Sequence, residues 1–264
     1  MKIEVLVSTM DQNDLSIVDK MNITSDAIII NQSNRHDYIE SKLNGSLIRM
    51  FSFNERGVGK SRNSALMRSN ADICLMADDD MVYVDNYQEI VAKAFEENPN
   101  AEMIMFNVPI NRKDGKKIVK VKKNGKVRFY NSLKYGTVNI AFRREAILKA
   151  NLFFSLLFGG GTRYGSGEDS LFITNSLKKG IKIYSNTAVI AEIEEGTSSW
   201  FSGYSEKYFY DRGALFQAIG GNLLSFLLII QFLLRKRPLY SQQIDTVSAL
   251  KQMIKGRKDF LRRN

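Results

Sequence analysis

Short apolar runs alternate with amphipathic stretches along the first two thirds of the chain. The runs predict strands at 3–8, 27–31, 47–53, 73–77, 102–107 and 138–141, with two more within 181–193. The amphipathic stretches predict helices over 11–21, 61–69, 86–98, 144–150 and 170–179. Such alternation is typical of an α/β fold, in which helices flank a Rossmann-like, mostly parallel sheet.

Residues 111–130 follow a different pattern. Apolar residues alternate with polar ones on either side of Asn124-Gly125, which predicts a β-hairpin with a tight turn. The segment also carries many cations: Lys113, Lys116, Lys117, Lys120, Lys122, Lys123, Lys126 and Arg128. Two interpretations remain open, a solvated edge hairpin that resists aggregation or a patch that faces anionic lipid headgroups or a pyrophosphate.

The stretch 213–234 contains no charged residue and is followed by Arg235-Lys236-Arg237 and Pro238, where we expect any helix to stop. It is about long enough to cross a bilayer, but its polar residues suit a lipid-facing helix poorly. We therefore favour a monotopic or re-entrant helix held by its basic flanks; the alternative is a buried core or dimer helix. The basic amphipathic tail, 242–263, fits a helix on an acidic membrane or one that packs on the body.

Composition sets broad limits on the domains and partners. The 264 residues suffice for one large domain with an appendage, and we divide them into an α/β domain at 1–200 and a helical, membrane-associating segment at 201–264. The net charge of +10 favours an anionic partner such as nucleic acid, acidic lipid or a phosphorylated substrate.

The single cysteine and the start of the chain bear on its compartment. Cys74 is the only cysteine, so no intrachain disulfide can form and a reducing compartment is favoured. We interpret Cys74 as a small buried hydrophobe. The first ten residues show no signal-peptide pattern, and we expect a cytoplasmic body. The lone His36 falls in a predicted loop, as a surface residue.

The stretch 56–80 carries the densest chemistry. A turn around Gly57 and Gly59 opens a predicted helix, an apolar strand follows, and Asp78, Asp79 and Asp80 come where that strand ends. Ligands of open α/β sheets sit outside the carboxyl ends of the strands. Three adjacent acids repel one another unless a cation or several hydrogen-bond donors compensate their charges. These residues predict a divalent metal that holds a phosphorylated ligand.

A second pair of acids follows a glycine-dense segment. Residues 158–167 are too rich in glycine for regular structure, and Glu168-Asp169 then begin a predicted helix. A flexible loop that delivers two acids suggests an active site. Capping of the helix is the alternative, since acids in a first turn interact favourably with the helix dipole.

A P-loop nucleotide site is the first interpretation of the central stretch that we tested. Residues 57–61 follow a strand and open a helix, and Asp78 ends the next strand like a Walker B acid. However, the first required glycine falls at Asn54, and the next position is Glu55, which is unfavourable beside phosphates. Lys60 and Asp78 are also separated by barely one helix and one strand. The pattern does not fit.

The order of the motifs fits a different family. Arg56-Gly57 through Arg62-Asn63-Ser64-Ala65, an apolar strand with Asp78–Asp80, and then Glu168-Asp169 resemble the family 2 glycosyltransferases of the GT-A fold, of the bacterial polysaccharide type. No single motif is specific, but their order and spacing together are. The resemblance covers roughly Ile3 to Trp200.

The resemblance implies a metal-dependent inverting glycosyltransferase, a hexosyltransferase that uses a nucleotide sugar, most often a UDP-sugar, with Mn or Mg. Asp78 would contact the ribose or the metal, and Asp80 would ligate the metal that bridges the diphosphate. Oxygen ligands suit such a cation, which stabilises the departing nucleoside diphosphate. Asp169 would be the general base toward the acceptor hydroxyl, and Glu168 would help to hold the acceptor.

The resemblance also implies a nucleotide pocket, with two departures from the family pattern. The residues expected to contact the nucleotide sugar are Ser8, Thr9, Asn31, Lys60, Arg62, Asp78 and Asp79. Where the family usually places an acid after the second strand, this chain has Asn31-Gln32, whose amides can still bind a base. Where the family often has a histidine, Glu192 stands, and we do not assign it to the metal.

We therefore expect an enzyme that adds a sugar to a lipid-linked or cell-surface glycan at the inner face of the cytoplasmic membrane, as a peripheral or monotopic protein. No nucleic-acid partner is expected. The alternative is a non-catalytic membrane- or nucleic-acid-binding protein that uses the lysine-rich hairpin. The sequence leaves the sugar, the acceptor, the linkage and the oligomeric state open.

Overall fold

The structure is a computed structural model that describes residues 1–194, 196 and 203–263. These form two compact units. The first comprises Met1–Phe154 and Phe172–Gly196, and the second comprises Ser155–Leu171 and the described residues from 203 onward. The predicted boundary at 200/201 and the end of the family resemblance at Trp200 lie outside the described residues. The glycine-dense segment, which we had placed in the first domain, belongs to the second unit.

The first unit holds the strands and most of the helices. The strands are β1 (Ile3–Met10), β2 (Asp26–Gln32), β3 (Asp37–Leu43), β4 (Ser46–Phe53), β5 (Ile73–Asp78), β6 (Met81–Tyr83), β7 (Met103–Asn107), β8 (Ile110–Asn111), β9 (Lys117–Ile118), β10 (Gly125–Lys126), β11 (Ile140–Arg143), β12 (Ile183–Val189) and β13 (Ala191–Glu194). The helices are α1 (Ile17–Lys20), α2 (Val58–Arg68), α3 (Tyr87–Glu97), α4 (Phe129–Ser132) and α5 (Arg144–Lys149), with a 3₁₀ turn at Thr137–Asn139. Helix α6 (Glu168–Lys178) starts in the second unit, which also holds α7 (Glu206–Tyr240) and α8 (Thr246–Arg263).

Nine strands form the main sheet, in the order β10-β12-β7-β11-β5-β1-β2-β4-β3. Strand β1 is parallel to β2 and β5, and β2 is parallel to β4, as expected for the α/β class. Strand β11 runs antiparallel to both β5 and β7, and β3 runs antiparallel to β4 at the edge. The predicted fold class is confirmed, but the sheet is mixed rather than mostly parallel.

Both faces of the sheet are buried at its central strands, which explains why β1, β2, β5 and β7 are almost continuously apolar. Successive side chains of a strand point to opposite faces, so Val5 and Val7 pack in a cluster with Phe95 of α3. Leu6 packs in the other cluster, with Leu66 of α2. Strands covered on both sides gain from apolar residues at every position. Cys74 lies in this core as expected, and its burial raises the pKa of the thiol to about 12.

A second, small sheet begins directly after the three acids. Its order is β6-β13-β8-β9, and β6 starts at Met81. Glu192 of β13 pairs with Val82 of β6, and Glu194 pairs with Asn111 of β8. The backbone that follows Asp80 is therefore held in a sheet.

The predicted hairpin around Asn124-Gly125 is wrong. Strand β9 pairs with β8 around a turn at Gly115, and β10 pairs with β12 instead. The side chain of Asn107 decides this arrangement, because its amide donates to the Val121 carbonyl at 2.9 Å and accepts from the Val121 amide at 2.8 Å. Val121 and Val127 are buried in the core. The burial of the two valines and the hydrogen bonds of the Asn107 side chain thus prevent the segments on either side of Asn124-Gly125 from pairing with each other.

The helix expected over 11–21 is also shorter, since only α1 forms. Asp11 has a φ of 53°, outside the helical region, and its carboxylate accepts from the Arg56 guanidinium at 3.2 Å. The residues before α1 instead form a loop beside the end of β1.

The longest helix of the second unit, α7, is a hairpin of two arms. The backbone at Gly221 has φ 61° and ψ −156°, which breaks the helix. The Phe216 and Phe232 rings lie 5.6 Å apart, and Ser225 Oγ donates to Gln217 Oε1 at 3.1 Å. The arms, 206–220 and 222–240, therefore run antiparallel. Within the described residues, α7 is the one helix long and apolar enough to cross a bilayer by length and composition alone, and half of its most apolar stretch is buried.

Helix α8 packs closely on α7, one of the two arrangements that we considered for the tail. A Cβ added at Gly213 would lie 1.9 Å from the Met253 carbonyl oxygen, and one at Gly256 would lie 1.9 Å from that of Tyr210. The helices thus touch backbone to backbone. Contrary to expectation, Pro238 does not stop α7. The helix continues to Tyr240, which is buried and whose hydroxyl donates to the Leu233 carbonyl at 3.0 Å.

Candidate active site

The acids at the end of β5 lie at the point where the strand order of the sheet reverses. Strands β2 and β4 lie on one side of β1, and β5 lies on the other. Ser8, near the end of β1, pairs in register with Asp78, the last residue of β5. Ligands of open α/β sheets bind in the crevice at such a switch point. The structure therefore brings together the residues at the end of β1, Ser8 and Thr9, and the acids at the end of β5, as the sequence predicted.

Thr9 and Asp79 are joined across this crevice. The Thr9 hydroxyl donates to Asp79 Oδ2 at 2.6 Å, and the side-chain amide of Gln12 donates to the same hydroxyl oxygen at 3.0 Å. This chain of hydrogen bonds ties the loop after β1 to the second acid. Gln12 was not among the residues expected at the site.

Arg62 forms an ion pair with Asp78. One turn into α2, its side chain is 4% exposed, and Nη2 donates to Asp78 Oδ1 at 2.8 Å. Its guanidinium lies 5.5 Å from the centre of the Phe154 ring. Phe154 is held in turn by Asn63, whose amide donates to its carbonyl at 2.9 Å and accepts from its N–H at 2.8 Å. The Arg-Asn pair of the motif therefore has two distinct tasks: Arg62 binds the Asp78 carboxylate, and Asn63 holds the backbone of Phe154.

Asp80, the last of the three acids, lies beside two other carboxylates. The pKa of its carboxyl is raised, first by desolvation and then by the negative charges of Asp78 and Asp79. A raised pKa at a carboxylate means that its charged form is disfavoured where it stands. A cation at this position would relieve that cost.

The carboxylates fit a divalent ion that takes further ligands from outside the protein. No cluster of three or more His, Cys, Asp or Glu side chains suited to a metal occurs in residues 1–194, 196 and 203–263. Asp78 and Asp80 nonetheless supply the hard oxygen donors that Mg²⁺ and Mn²⁺ take, and Mg²⁺ is usually bound by one or two carboxylates with phosphates and water. The donor set therefore fits a metal held jointly with a diphosphate.

Asn31 and Lys60 have partners within the protein. The Asn31 side chain is buried. It donates to the backbone carbonyl of Gln12 and to Ser52 Oγ, and it accepts from the backbone N–H of Gln12, each at 2.9 Å. It shapes the loop after β1. Lys60 forms an ion pair at 2.5 Å with Glu55, the acid that argued against a P-loop. Contacts from Asn31 and Lys60 to a nucleotide sugar stay predictions.

Glu192, in the region where the family often has a histidine, is engaged in the small sheet. Asn111 donates to one of its oxygens at 2.8 Å and Lys117 to the other at 2.9 Å. The Asn111 hydrogen bond, followed by that from Lys117, lowers the pKa of Glu192. His36 is exposed, as expected.

Glu168 and Asp169 stand at the start of α6, in the second unit. Asp169 lies in the first helical turn, where the helix dipole favours an acid, and its Oδ1 accepts from the Ser170 amide at 2.6 Å. Gly167, just before them, has a φ of 111°, which favours glycine. The two acids belong to a different unit from Asp78, Asp79 and Asp80.

Asp211 is a residue that the sequence analysis missed. It lies on the first arm of α7, and its carboxylate accepts from the Gly165 amide at 3.0 Å. Lys207, one turn earlier, donates to both Asp211 oxygens, at 2.9 and 2.8 Å. The spacing of the two charges was visible in the sequence, but nothing there connected them to the glycine-dense segment.

Comparison with known families agrees with the motifs. Residues 24–153 match the family model described as glycosyl transferase family 2. The resemblance to family 2 glycosyltransferases is confirmed. The family 2 match includes the turn, the Arg-Asn pair and the three acids at 78–80. Ser8, Thr9, Glu168 and Asp169 lie outside the matched residues.

Solved structures with the same fold include TarS from S. aureus. The structure of TarS 1–349 in complex with UDP-GlcNAc has a TM-score of 0.69 and 16% sequence identity, and the match covers 99% of this chain and 81% of that one. TarS 1–349 in complex with UDP gives 0.65 and 14%, with 97% and 81% covered. The longer TarS structure gives 0.67 and 14%, with 99% and 49% covered. At this identity the likeness shows the fold, which is the GT-A fold expected from the sequence. None of the curated proteins compared with the chain matches it significantly.

Proposed function

We propose that this protein transfers a sugar from a nucleotide sugar, most simply a UDP-sugar, to a hydroxyl acceptor with inversion at the anomeric carbon. The observation that carries the proposal is the acid cluster at the end of β5, which lies at the switch point of the sheet and within the family 2 match. The GT-A likeness to TarS, whose structures contain UDP-GlcNAc and UDP, supports the donor class.

The donor is bound by the residues at the switch point. Ser8, Thr9 and Asp79 line the nucleoside, and Asp78 and Asp80 would hold a Mn or Mg ion. When bound, such an ion supplies Lewis-acid stabilisation of the departing nucleoside diphosphate. Arg62 fixes the orientation of the Asp78 carboxylate through their ion pair.

Asp169 acts as the general base and Glu168 positions the acceptor. As the acceptor oxygen attacks the anomeric carbon, its proton passes to the Asp169 carboxylate. The bond from that carbon to the diphosphate oxygen breaks with its electron pair on the diphosphate. Attack from the opposite side inverts the configuration. The role of Asp169 rests on the family resemblance.

The acceptor is a lipid-linked or cell-surface glycan, met at the inner face of the cytoplasmic membrane. The second arm of α7 supports this location, because exposed apolar side chains recur on it every three or four residues and so share one side. These are Leu223, Phe226, Leu227, Ile230 and Leu234, the lipid stripe. Arg235 and Arg237, both exposed, follow the stripe. An apolar face with basic flanks suits an anionic bilayer, whereas a second copy would bring like charges together.

The enzyme class is tested by release of UDP. The full chain is incubated with a panel of UDP-sugars, with and without Mn²⁺, and water or an added glycan is the acceptor. We expect Mn²⁺-dependent UDP release from one donor, and its loss in Asp80→Asn. The exposed loop acid Asp114→Asn is the matched control and keeps activity, as do Lys122→Ala and Lys123→Ala. Full activity in Asp80→Asn would disprove the metal role.

A further inference from the structure

Three residues of α7 contact the glycine-dense segment in a regular step. Lys207 Nζ donates to the Arg163 carbonyl at 3.2 Å, and Asp211 accepts from the Gly165 amide at 3.0 Å. A Cβ added at Gly167 would lie 2.6 Å from a methyl group of Leu215. The contacted residues are two apart in the segment, and their partners are four apart on the helix.

Lys207, Asp211 and Leu215 lie on one face of the first arm of α7, because residues four apart in an α-helix are neighbours on its surface. The segment 163–167, which bends at Arg163, Gly165 and Ser166, meets that face at every second residue. A segment rich in glycine, which has little intrinsic stiffness, is in this way held in one register.

Asp211 makes the contact that fixes the position of the segment on α7, because a hydrogen bond depends on direction as well as distance. Its side chain is 8% exposed, whereas that of Lys207 is 66% exposed. Lys207 neutralises the buried carboxylate, and the Gly165 N–H fixes its direction. Leu215 is buried but makes only van der Waals contact, and the Lys207 ammonium is a point charge on a flexible stem. Loss of the Asp211 oxygen would leave the Gly165 amide without this acceptor.

We propose that Asp211 is a positioning residue for the reaction: by holding Gly165 it fixes where Glu168 and Asp169 emerge at the start of α6. The proposal rests on the function proposed for Asp169. It gives the C-terminal helices a part in catalysis, in addition to any part in location. The chain between Gly165 and Asp169 is short, so a shift of the first displaces the second.

The test compares Asp211→Ala with Asp211→Asn in the full chain. Asparagine keeps an oxygen that can accept from Gly165 and loses only the charge, while alanine loses both. Because a misplacement of about 1 Å can cost 10²-fold in rate, we expect kcat for UDP release in Asp211→Ala to fall about 10- to 100-fold. The KM for the donor should stay within about twofold, since donor binding is a separate interaction. Asp211→Asn should recover kcat to within about threefold of the wild type.

Two further measurements separate positioning from general damage. Hydrogen exchange reports the protection of the 163–169 amides, which we expect to fall in Asp211→Ala and to be kept in Asp211→Asn. Tyr240→Phe removes a buried hydrogen bond of the same unit without touching the segment, and it should keep kcat even where it lowers Tm.

Each result has a definite meaning. Full kcat in Asp211→Ala, or equal loss in Asp211→Ala and Tyr240→Phe, overturns the proposal. Unchanged protection of residues 163–169 in Asp211→Ala also overturns it, whatever the activity. If the wild type releases UDP from none of the donors, the proposed function fails, and the exchange data still show whether Asp211 holds the segment.

Discussion

The Phe209 ring lies 5.0 Å from the Tyr240 ring, although the two residues stand near opposite ends of α7. A straight helix of 35 residues would be about 50 Å long. The contact therefore requires the chain to reverse, and it does so at Gly221. A span that composition presents as one long apolar helix is in fact two arms that bury part of each other.

Gly221→Ala should destabilise the second unit. Its φ of 61° with ψ of −156° is a conformation that is essentially limited to glycine, and a forced backbone of this kind costs about 1–3 kcal/mol. An added Cβ meets no atom within 4 Å, so the effect comes from the backbone alone. Urea unfolding of the full chain measures it. Leu223→Ala, two residues away and 80% exposed, is the control and should change stability little. Equal stability in both variants would contradict the strained turn.

Leu227→Asp with Ile230→Asp should abolish binding to anionic vesicles. Both residues lie in the lipid stripe, and two carboxylates there would be repelled by an acidic surface and costly to bury. Co-sedimentation with vesicles of phosphatidylcholine, with and without phosphatidylglycerol, measures this. Met67→Asp, at an exposed apolar residue of α2, is the control. Concentration-dependent dimerisation of the wild type without vesicle binding would assign the stripe to a second copy instead.

Arg62→Met should weaken donor binding more than it destabilises the fold. Removal of the cation leaves three carboxylates close together, which opposes a diphosphate. Since Asp78 is 35% exposed and so partly solvated, we expect a stability loss of about 1–2 kcal/mol rather than that of a fully buried pair. Thermal shift with UDP and Mn²⁺ measures binding, because a ligand at about 100 times its Kd stabilises by about 2.7 kcal/mol. Arg68→Met on the same helix should keep the shift. An undiminished shift in Arg62→Met would remove Arg62 from the site.

Acid should destabilise the second unit partly through Asp259. Its pKa is lowered by the Tyr210 hydroxyl, which donates to it, and then by Arg263 and Arg163. A carboxyl whose folded pKa is depressed contributes stability above its unfolded pKa, about 3.9, and that stability is lost as the pH falls through the folded pKa. The contribution is therefore complete at neutral pH and disappears below about pH 4. Melting curves from pH 3 to 7 should show a smaller acid dependence in Asp259→Asn than in the wild type.

Local pattern was enough to predict which polar residues lie at the ends of neighbouring strands. Apolar runs with polar residues at their ends placed Ser8, Thr9 and Asp78 correctly, because parallel strands bring their carboxyl ends to the same edge of a sheet. The Arg-Asn pair was likewise predicted as functional. Its partner Phe154 was not, since an aromatic ring in a sequence carries no sign of which cation it will meet.

The hairpin at 111–130 failed for a reason that lies elsewhere in the chain. Alternation and an Asn-Gly pair are local signals, and they do favour a hairpin in isolation. The side chain of Asn107 binds Val121 and the core buries Val127, so tertiary contacts outweigh the turn. The edge strand β3 was missed because its polar, largely exposed residues lack a core-facing pattern.

The sequence by itself determined the α/β class, the order of the motifs and the resemblance to family 2 glycosyltransferases, because each depends on residues close together in the chain. Only the tertiary structure decided that α7 folds back at Gly221, that Asn31 holds a loop, and that Lys207, Asp211 and Leu215 grip the segment before Asp169. These are contacts between distant residues, and a periodic pattern specifies which face of an element is apolar but not what will cover it.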